Sequence, residues 1–422
     1  MYLLEPILNT FYRLQMRSVM DFEIGDELPA KPPGDEPLLL YIHIPFCETL
    51  CPYCSFHRFP YERDVAAAYF DALGDELRLY RDAGFDFQSL YIGGGTPTID
   101  LDRLGRTLEL ARDLFSVREI SCETNPNHLV GDRLNALADL GIDRLSVGVQ
   151  TFDDAILERI GRLEKYGSGA QIRDRLAVAN ERFQTLNVDM IFNIPTQTEA
   201  TLGRDLDYLT ELLPSQVTFY PLMTAPSVLA ELRRTVGTVS YRREKLFFRM
   251  ILERMRPDYQ DSTAWCFSRR DGMVDEYVIA YDQYAAAGSG AFGYLDGTIY
   301  ANTFSLDEYF EKIRAGRFSV ARRKRFSRRD AINYYFLMKL FGLTLDKQAF
   351  AAKFGRSYER AMFPFPPLLR WTGSVTEDAD FVRLTDRGRY YWVAAMREFF
   401  IAVDTMRDRC RTNLLEPPAG LR

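Results

Sequence analysis

The sequence predicts an α/β protein: a partial (β/α)6 barrel of the TIM type, with an N-terminal helical segment and a small winged-helix-like C-terminal domain. Six runs rich in β-branched and aromatic residues alternate with helix-like stretches between about residues 38 and 220. This alternation is typical of βαβ units that close or partly close into a barrel. The 422-residue chain leaves room for further domains. We divide it into a helical segment (1–36), the barrel (37–225), a barrel extension covering the site (226–320) and a C-terminal domain (321–422).

Composition and charge exclude several classes of function. The net charge of −6 argues against a nucleic-acid binder. No apolar run reaches the roughly 18 residues that span a bilayer, and the N-terminus lacks the basic leader and continuous apolar core of a signal peptide. We therefore expect a cytoplasmic protein that binds no nucleic acid and has no transmembrane segment. Because thiols stay reduced in that compartment, the six cysteines are expected to be ligands or core residues.

The predicted elements begin with a helix near the N-terminus. Leu4, Ile7, Leu8, Phe11 and Leu14 have helical spacing and predict a helix packed on the barrel, with a lid or a membrane-surface contact as alternatives. The strand-like runs are PLLLYIHI, SLYIGGGTP, EISCETNP, RLSVGVQTF, LNVDMIFNIP and QVTFY. The helix-like stretches between them include 65–80, 101–114 and 202–213.

Three segments characterise the rest of the chain. YLDGTIY predicts a hairpin that turns at Asp296 and Gly297. The basic run ARRKRFSRR, which includes residues 322–329, is expected to be a solvated entry to the helix DAINYYFLMKLFG. Its alternative is a patch for substrate carboxylates or for an acidic electron donor. FVRLTDRGRYYWVAAMREFF predicts a strand, a turn and a long amphipathic helix, as in a winged-helix-like domain.

A triplet of cysteines, Cys47, Cys51 and Cys54, falls within eight positions directly after the first strand. In a reducing compartment such a triplet indicates a metal. Structural zinc prefers four ligands, and His57 would complete that set. A four-iron cluster normally takes four thiolates, so C-x3-C-x2-C would leave one iron open for a substrate or cofactor. The scattered cysteines are expected to be core residues: Cys122, Cys266 and Cys410.

The ends of five consecutive strands favour the cluster over zinc. Barrel enzymes carry their chemistry in the loops at these ends. Apart from the cysteine triplet, each of the features at these strand ends would alone be ordinary turn chemistry or a solvated loop end, but a zinc ribbon needs none of these others. The features are the triplet after the first strand, Gly93, Gly94, Gly95, Thr96 and Pro97 after the second, Glu123 ending the third, Gln150 ending the fourth and Asp189 late in the fifth.

In this order, YIHIPFCETLCPYC, GGGTP, ETNP, RLSVGVQTF and VDMIFNIPTQT resemble radical S-adenosylmethionine (SAM) enzymes, and more narrowly the oxygen-independent coproporphyrinogen III oxidase-like family. The resemblance spans residues 38 to 220, and more weakly extends to 313. It implies that the three cysteines hold a [4Fe–4S] cluster and that SAM binds the open iron. An electron from the cluster would then cleave SAM to methionine and a 5′-deoxyadenosyl radical. A flavodoxin- or ferredoxin-type partner would supply that electron.

The resemblance also assigns residues to the SAM at the cluster. Glu123 would accept hydrogen bonds from SAM, and Tyr53 would lie against the adenine. Phe292 belongs to the segment GSGAFG, which would close over SAM. GSGAFG also resembles a dinucleotide-binding fingerprint, but that interpretation is weaker because no predicted helix follows it. The full set of matching positions is Tyr41, Tyr53, Gly93, Gly94, Gly95, Thr96, Glu123 and Phe292.

Three further residues, Gln150, Arg162 and Asp189, match family positions around a second SAM. Their order along the barrel predicts that they lie away from the cysteine loop, residues 47–54. Arg162 would bind the free carboxylate of this SAM, and Asp189 would hold its ribose. The alternative is a surface ion pair between Arg162 and Glu158, one helical turn earlier.

Departures from the family bear on the substrate. Coproporphyrinogen oxidases carry a fourth cysteine where Phe56 stands, and heme chaperones carry a His-Asn…Tyr-Trp motif that His43, His57 and His128 do not form. Asn193 stands where relatives usually have glycine. We therefore expect a methyltransferase with two SAM sites that methylates carbon in a largely apolar or planar, tetrapyrrole-like small molecule. The alternatives are oxidative decarboxylation of coproporphyrinogen III and a heme-binding chaperone with vestigial SAM chemistry.

Overall fold

The computed structural model of the protein describes residues 20–34, 36–269 and 277–415. The predicted apolar stripe from Leu4 to Leu14 lies outside these residues. In the described ranges, no helix is both long enough and apolar enough to cross a membrane.

Six parallel strands form the barrel, and each pairs with the next one along the chain. Their register places apolar residues side by side, as in Leu40 opposite Leu90 and Val147 opposite Val188. All four of these side chains are buried, as expected for a parallel sheet covered on both faces. The predicted six-stranded partial barrel is confirmed. The strands are β1 (Leu39–Ile44), β2 (Ser89–Gly94), β3 (Glu119–Thr124), β4 (Arg144–Gln150), β5 (Thr185–Phe192) and β6 (Gln216–Pro221).

The sheet continues beyond both ends of the barrel and contains 13 strands within the described ranges. It ends at Glu23–Ile24 on one side and at Gln260–Asp261 on the other, so the barrel is open in the described part of the chain. Next to β6 lies Cys266–Ser268, which pairs with Gln260–Asp261. Next to β1 lie, in order, Tyr284–Ala287, Phe292–Leu295, Thr298–Asn302, Val320–Arg325 and Glu23–Ile24.

Helices connect the strands, and their ends have local causes. The side chain of Asp100 accepts a hydrogen bond from the backbone N–H of Arg103 and so caps one helix at its start. Leu213 adopts the left-handed conformation and ends the helix Glu199–Leu212. Among the described residues up to 314, the helices are Arg63–Asp82, Leu101–Leu114, Gly131–Asp139, Asp154–Arg159, Leu163–Tyr166, Gly169–Asn180, Glu199–Leu212, Pro226–Thr235, Tyr241–Met255, Tyr277–Ala280 and Leu306–Arg314.

The predicted hairpin is confirmed. Phe292–Leu295 and Thr298–Asn302 pair antiparallel, with Leu295 opposite Thr298. Between them, Asp296 and Gly297 have φ angles of 43° and 68°. Two successive left-handed residues are typical of a type I′ turn, whose twist matches that of the flanking strands.

The C-terminal part combines helices with a small sheet, as predicted for a winged-helix-like domain. Three antiparallel strands lie in the order Thr344–Asp346, Phe381–Leu384, Val375–Glu377. The predicted strand, turn and long helix near the end are confirmed. The helices are Arg328–Phe341, Lys347–Phe354, Tyr358–Ala361, Phe365–Trp371 and Asp386–Leu415, and we call the last one the C-terminal helix.

The basic run forms the predicted entry to a helix only in its second half, where Ser327 caps the helix. Its first half belongs to the strand Val320–Arg325, and only Arg328 begins the helix. The strand forms because it pairs with Thr298–Asn302 on one side and Glu23–Ile24 on the other, contacts that lie far away in sequence. Arg325 pairs with Asp296 at 2.7 Å. The division of the chain into four parts stays a prediction, and its boundary at residue 320 falls at the start of this strand.

Candidate active site

A cavity of about 350 Å³ lies at the carboxyl ends of the barrel strands. It gathers the predicted site residues except Gly93, which lies behind Glu123; a Cβ added there would be 2.8 Å from Glu123 Oε1. A second cavity, of about 550 Å³, lies beside Pro226–Thr235 and the C-terminal helix and contains none of these residues. The predicted residues that line the first cavity are Tyr41, Cys47, Cys51, Tyr53, Cys54, Gly94, Gly95, Thr96, Glu123, Gln150, Arg162, Asp189 and Phe292.

The cysteine loop is shaped by an arginine that the sequence did not single out. The guanidinium of Arg58 donates hydrogen bonds to the carbonyl oxygens of Cys51 and Cys54, each at 2.6 Å. Burial raises the pKa of Cys47 and raises that of Cys54 to about 11, whereas the charge of Arg58 lowers both. Because metal-binding thiols must lose their protons, Arg58 favours the form of the loop that binds metal.

The loop fits an iron–sulfur cluster better than zinc. All three thiols are free and line the same cavity. Within the described ranges, no three His, Cys, Asp or Glu side chains converge where a single metal ion could bind them. A four-iron cluster does not require such convergence, since each thiolate binds a different iron. His57, the fourth ligand of the zinc alternative, places Nε2 3.1 Å from Ser289 Oγ and does not line the cavity.

The glycine run brings its backbone against Glu123. The N–H of Gly94 donates to Glu123 Oε2 at 3.1 Å, and the hydroxyl of Tyr91 donates to Oε1 at 3.0 Å. At Gly95, an added Cβ would lie 2.6 Å from the carbonyl oxygen of Phe46, so a side chain does not fit there. Burial, with a smaller contribution from Asp189, raises the pKa of Glu123 to about 7. This carboxylate would gain from a cationic group in the cavity.

Arg162 corrects the predicted layout of the second SAM site. It is 3% exposed, so the alternative of a surface pair with Glu158 is wrong. The predicted distance from the cysteine loop is also wrong: Nη1 donates to Cys51 Sγ at 3.8 Å and to the Tyr53 hydroxyl at 3.3 Å. The cause is the short helix Asp154–Arg159 and the glycine that follows it: Gly161 has a φ of 69° and turns the chain back toward the cysteine loop.

Asp189 lies on β5 and Gln150 ends β4, as predicted. Asp189 accepts hydrogen bonds from Ser146 Oγ at 2.6 Å and from Asn187 Nδ2 at 2.8 Å. Gln150 has a φ of 77° at an irregularity in the pairing of β4 with β5. A left-handed conformation is uncommon for glutamine and marks functional sites more often than plain strands. Asn193, with a φ of 66°, adopts a conformation that glycine also favours.

Tyr41 is oriented by His43. His43 Nε2 lies 2.8 Å from the carbonyl oxygen of His57, which can only accept, so Nε2 carries the proton. Burial lowers the pKa of His43 to about 4, and the neutral ring therefore accepts at Nδ1 from the Tyr41 hydroxyl at 2.9 Å. The Tyr41 oxygen keeps its lone pairs for a ligand in the cavity.

Besides Arg58, sequence reasoning missed further residues at the site, among them Asn125 and two residues of the C-terminal helix. Asn125 lines the cavity between Thr96 and Arg162, and its place in the ETNP motif was an available signal. The C-terminal helix carries Asp404 and Arg407, which also line the cavity. No local pattern connects that helix to the cysteine loop, so only the folded chain reveals the contact.

The comparisons with known proteins agree with this geometry. Residues 41–209 match the family model described as the radical SAM superfamily. The heme chaperone HemW of Bacillus subtilis is 28% identical over 371 residues, which cover 83% of this chain and 95% of the chaperone. The anaerobilin synthase of Escherichia coli O157:H7 is 29% identical over 301 residues, 66% of each protein.

Among solved structures, the coproporphyrinogen III oxidase HemN from Escherichia coli, a radical SAM enzyme, superposes with a TM-score of 0.71. The match covers 90% of this chain and 92% of HemN at 24% identity, so it supports the fold. A radical SAM family implies a [4Fe–4S] cluster and SAM, and the free cysteine triplet in the cavity is suited to hold that cluster. Residues 41–209 therefore match a radical SAM domain, and the chain as a whole is similar to the oxygen-independent coproporphyrinogen III oxidase-like proteins.

Proposed function

We propose that the protein is a radical SAM enzyme that uses two SAM molecules to methylate carbon in a planar, largely apolar, tetrapyrrole-like substrate. One observation carries the proposal: a single cavity holds the cysteine triplet, Glu123, Arg162 and an aromatic wall. Cys47, Cys51 and Cys54 would hold the cluster. When bound, the cluster supplies the electron that cleaves SAM to methionine and a 5′-deoxyadenosyl radical.

The residues around Glu123 are suited to the first SAM. The carboxylate of Glu123 would accept hydrogen bonds from SAM, and the cationic sulfonium of SAM would offset the burial that raises the pKa of this group to about 7. Gly94 and Gly95 allow the ligand to approach the backbone, since they have no side chains. Tyr41 and Tyr53 line the same cavity and would contact the nucleoside.

The second SAM site rests on Arg162 with Gln150 and Asp189. The guanidinium is buried, and no carboxylate in the described ranges forms an ion pair with it. Its Nε–H is buried without a hydrogen-bond partner and remains available for a ligand carboxylate. Asp189 would bind the ribose hydroxyls of this SAM, as acidic residues do at other nucleoside sites.

The substrate class is supported by the aromatic character of the cavity. Apolar rings favour a flat, apolar ligand because they bury large areas and stack on planar groups. One relative, 29% identical over 301 residues, is named anaerobilin synthase. The aromatic residues that line the cavity beyond the SAM positions include Tyr220, Tyr277, Tyr284, Tyr334, Phe399 and Phe400.

A flavodoxin- or ferredoxin-type donor would supply the electron. Leu50, within the cysteine loop, is 42% exposed, and Phe56, two residues after Cys54, is 49% exposed. The loop therefore reaches the surface, where a donor can approach it. Binding of reduced flavodoxin to the reconstituted protein, weakened by Phe56→Asp, would support this partner.

Titration with SAM tests the second site. We expect the reconstituted protein to bind two equivalents of SAM per cluster and Arg162→Ala to bind about one, with the bound SAM divided by the iron content of each protein. Glu158→Ala is the matched control, because Glu158 belongs to the same connection but does not line the cavity. If the parent saturates at one equivalent, the proposed two-SAM methyltransferase is excluded and the protein is a radical enzyme with a single SAM site.

Product analysis then separates the reactions. Methyl transfer gives S-adenosylhomocysteine and 5′-deoxyadenosine, whereas decarboxylation of coproporphyrinogen III gives carbon dioxide. The second candidate function is heme delivery, favoured because the match to the heme chaperone covers 95% of that protein. A chaperone would bind heme and give neither set of products in quantity. The three histidines are all buried, at 1–2% exposure, which disfavours a surface imidazole as heme ligand.

A further inference from the structure

Two of the three cysteine sulfurs are joined by a chain of side-chain hydrogen bonds. Arg162 Nη1 donates to Cys51 Sγ at 3.8 Å, and Nη2 of the same guanidinium donates to Asn125 Oδ1 at 3.3 Å. Asn125 Nδ2 donates to Thr96 Oγ1 at 2.9 Å, and Thr96 Oγ1 donates to Cys47 Sγ at 3.6 Å. We call Arg162, Asn125 and Thr96 the thiolate bridge.

The direction of every bond in the thiolate bridge follows from the chemistry of its first member. A guanidinium only donates, so the atom of Asn125 that faces Arg162 is the carbonyl oxygen. This fixes the amide, whose two ends would otherwise be interchangeable. The NH2 group must then face Thr96 and donate to its oxygen. The Thr96 hydroxyl keeps its own hydrogen for Cys47 Sγ, which is the acceptor that remains.

The thiolate bridge is buried and held from behind. Arg162, Asn125 and Thr96 are 3%, 9% and 2% exposed, so water does not compete for these bonds. The guanidinium carbon of Arg162 stacks 3.9 Å from the ring centre of Tyr166, and Nη2 also donates to the carbonyl oxygen of Gly148. These contacts fix Arg162, which in turn orients Asn125 and, through Asn125, Thr96.

We propose that the thiolate bridge positions the Cys47 and Cys51 thiolates and raises the reduction potential of the cluster they hold. Hydrogen bonds to the sulfurs are among the factors that set cluster potentials. These hydrogen bonds stabilise negative charge on sulfur. Because the reduced cluster carries more negative charge than the oxidised one, they favour reduction and raise the potential. Asn125 is a positioning residue in this scheme, since it acts through Thr96. The proposal rests on the proposed function only in requiring the cluster at these cysteines.

The test is a potentiometric titration of the reconstituted enzyme with dithionite and mediators, followed by the electron paramagnetic resonance signal of the reduced cluster. Thr96→Val keeps the shape of the side chain but removes the hydroxyl, and Thr96→Ser restores it. We expect Thr96→Val to disfavour one-electron reduction about tenfold, a shift of about 59 mV to lower potential. Thr96→Ser should have the potential of the parent. Equal potentials in the parent and Thr96→Val would overturn the proposal.

Two further variants keep the test decisive if Thr96→Val binds iron poorly. Asn125→Leu leaves the Thr96 hydroxyl in place but removes the group that orients it, so its potential should fall as well. Thr98→Val is the matched control, because Thr98 is also buried but bonds to Thr124 and His128 instead of a sulfur. Its potential should equal that of the parent. Loss of iron from Thr96→Val and Asn125→Leu alone would support the positioning role, and loss from all three would overturn it.

Failure of the proposed function would look different from failure of the thiolate bridge. A parent that binds no iron, or that binds iron but only one SAM, contradicts the function irrespective of the variants. A parent with four irons and two SAM molecules, whose potential is indifferent to Thr96→Val, contradicts only the bridge.

Discussion

Ser55, the residue after Cys54, donates a hydrogen bond of 2.7 Å to Asp404 in the C-terminal helix, 349 positions away in the sequence. Two arginines of the same helix donate to the Ser55 carbonyl oxygen, Arg407 at 3.3 Å and Arg411 at 2.6 Å. Asp404 also accepts from Arg407 at 2.5 Å. The C-terminal helix therefore holds the end of the cysteine loop against the barrel.

Asp404→Ala should loosen the cysteine loop and make the cluster easier to remove. The change breaks the bond to Ser55 and leaves Arg407, which is buried, without its carboxylate. We expect faster loss of iron to a chelator under anaerobic conditions, measured from the cluster absorbance. Asp386→Ala, at the exposed start of the same helix, is the control and should lose iron at the parent rate. Equal rates for Asp404→Ala and the parent would show that the helix does not hold the loop.

Alanine substitutions should separate the ligand thiols from the other cysteines. After anaerobic reconstitution the parent should contain about four irons per chain. Cys47→Ala, Cys51→Ala or Cys54→Ala should abolish the cluster, as measured by iron content and absorbance. The other cysteines serve as controls that should keep it: Cys122 and Cys266, buried in strands, and Cys410, which contacts Met406. Uptake of zinc instead of iron by the parent would contradict the assignment.

Glu123→Ala should weaken cleavage of SAM while leaving the iron content intact. The carboxylate lies in the cavity but does not touch a cysteine; its partners are Tyr91 and the Gly94 N–H. We expect less 5′-deoxyadenosine per cluster in a reductive assay. Glu119→Ala, on the exposed start of β3, is the matched control. If cleavage by Glu123→Ala equals that of the parent, Glu123 is only a residue of the strand.

The stability of the metal-free protein should fall with pH because of Glu123. Burial raises the pKa of this carboxyl from its ordinary value of 4.5 to about 7, so its ionised form is disfavoured in the folded state. Its contribution to the free energy of unfolding is complete below about pH 4.5 and is lost as the pH rises through about 7. Glu123→Gln cannot ionise and avoids this loss.

Urea unfolding at pH 5 and pH 8 measures the effect. Relative to the parent, Glu123→Gln should gain roughly 2–3 kcal/mol of stability between pH 5 and pH 8. Asp205, whose pKa burial also raises to about 7, is present in both proteins and cancels in the comparison. A difference between variant and parent that does not change with pH would rule out an elevated pKa at Glu123.

A buried ion pair fixes the C-terminal helix to the helix Tyr241–Met255. Arg397 pairs with Glu244 and also with Glu398 at 3.2 Å, and all three are at most 1% exposed. Arg397→Met should lower the free energy of unfolding by about 3–5 kcal/mol, because it leaves buried carboxylates unpaired. The double variant Arg397→Met, Glu244→Leu should recover part of that loss in urea unfolding. No recovery would mean that the pair contributes by packing alone.

The sequence by itself predicted the barrel, the cysteine triplet and about a third of the residues that line the cavity. These signals are local: β-branched runs alternating with helices predict βαβ units, and polar residues at the ends of parallel strands must meet at one edge. The hairpin at Asp296 and Gly297 was equally local, since the turn type requires those residues.

Tertiary structure decided what depends on contacts between distant segments. The first half of the basic run forms a strand because it pairs with Thr298–Asn302 on one side and Glu23–Ile24 on the other. Arg162 lies at the cysteine loop because Gly161 reverses the chain, and the order of the strands contains no information about that reversal. Ser55 and Asp404 are 349 positions apart in the sequence, and no local sequence pattern predicts a contact over that separation. Side-chain direction and long-range packing are set by the whole core, so they appear only when the chain is folded.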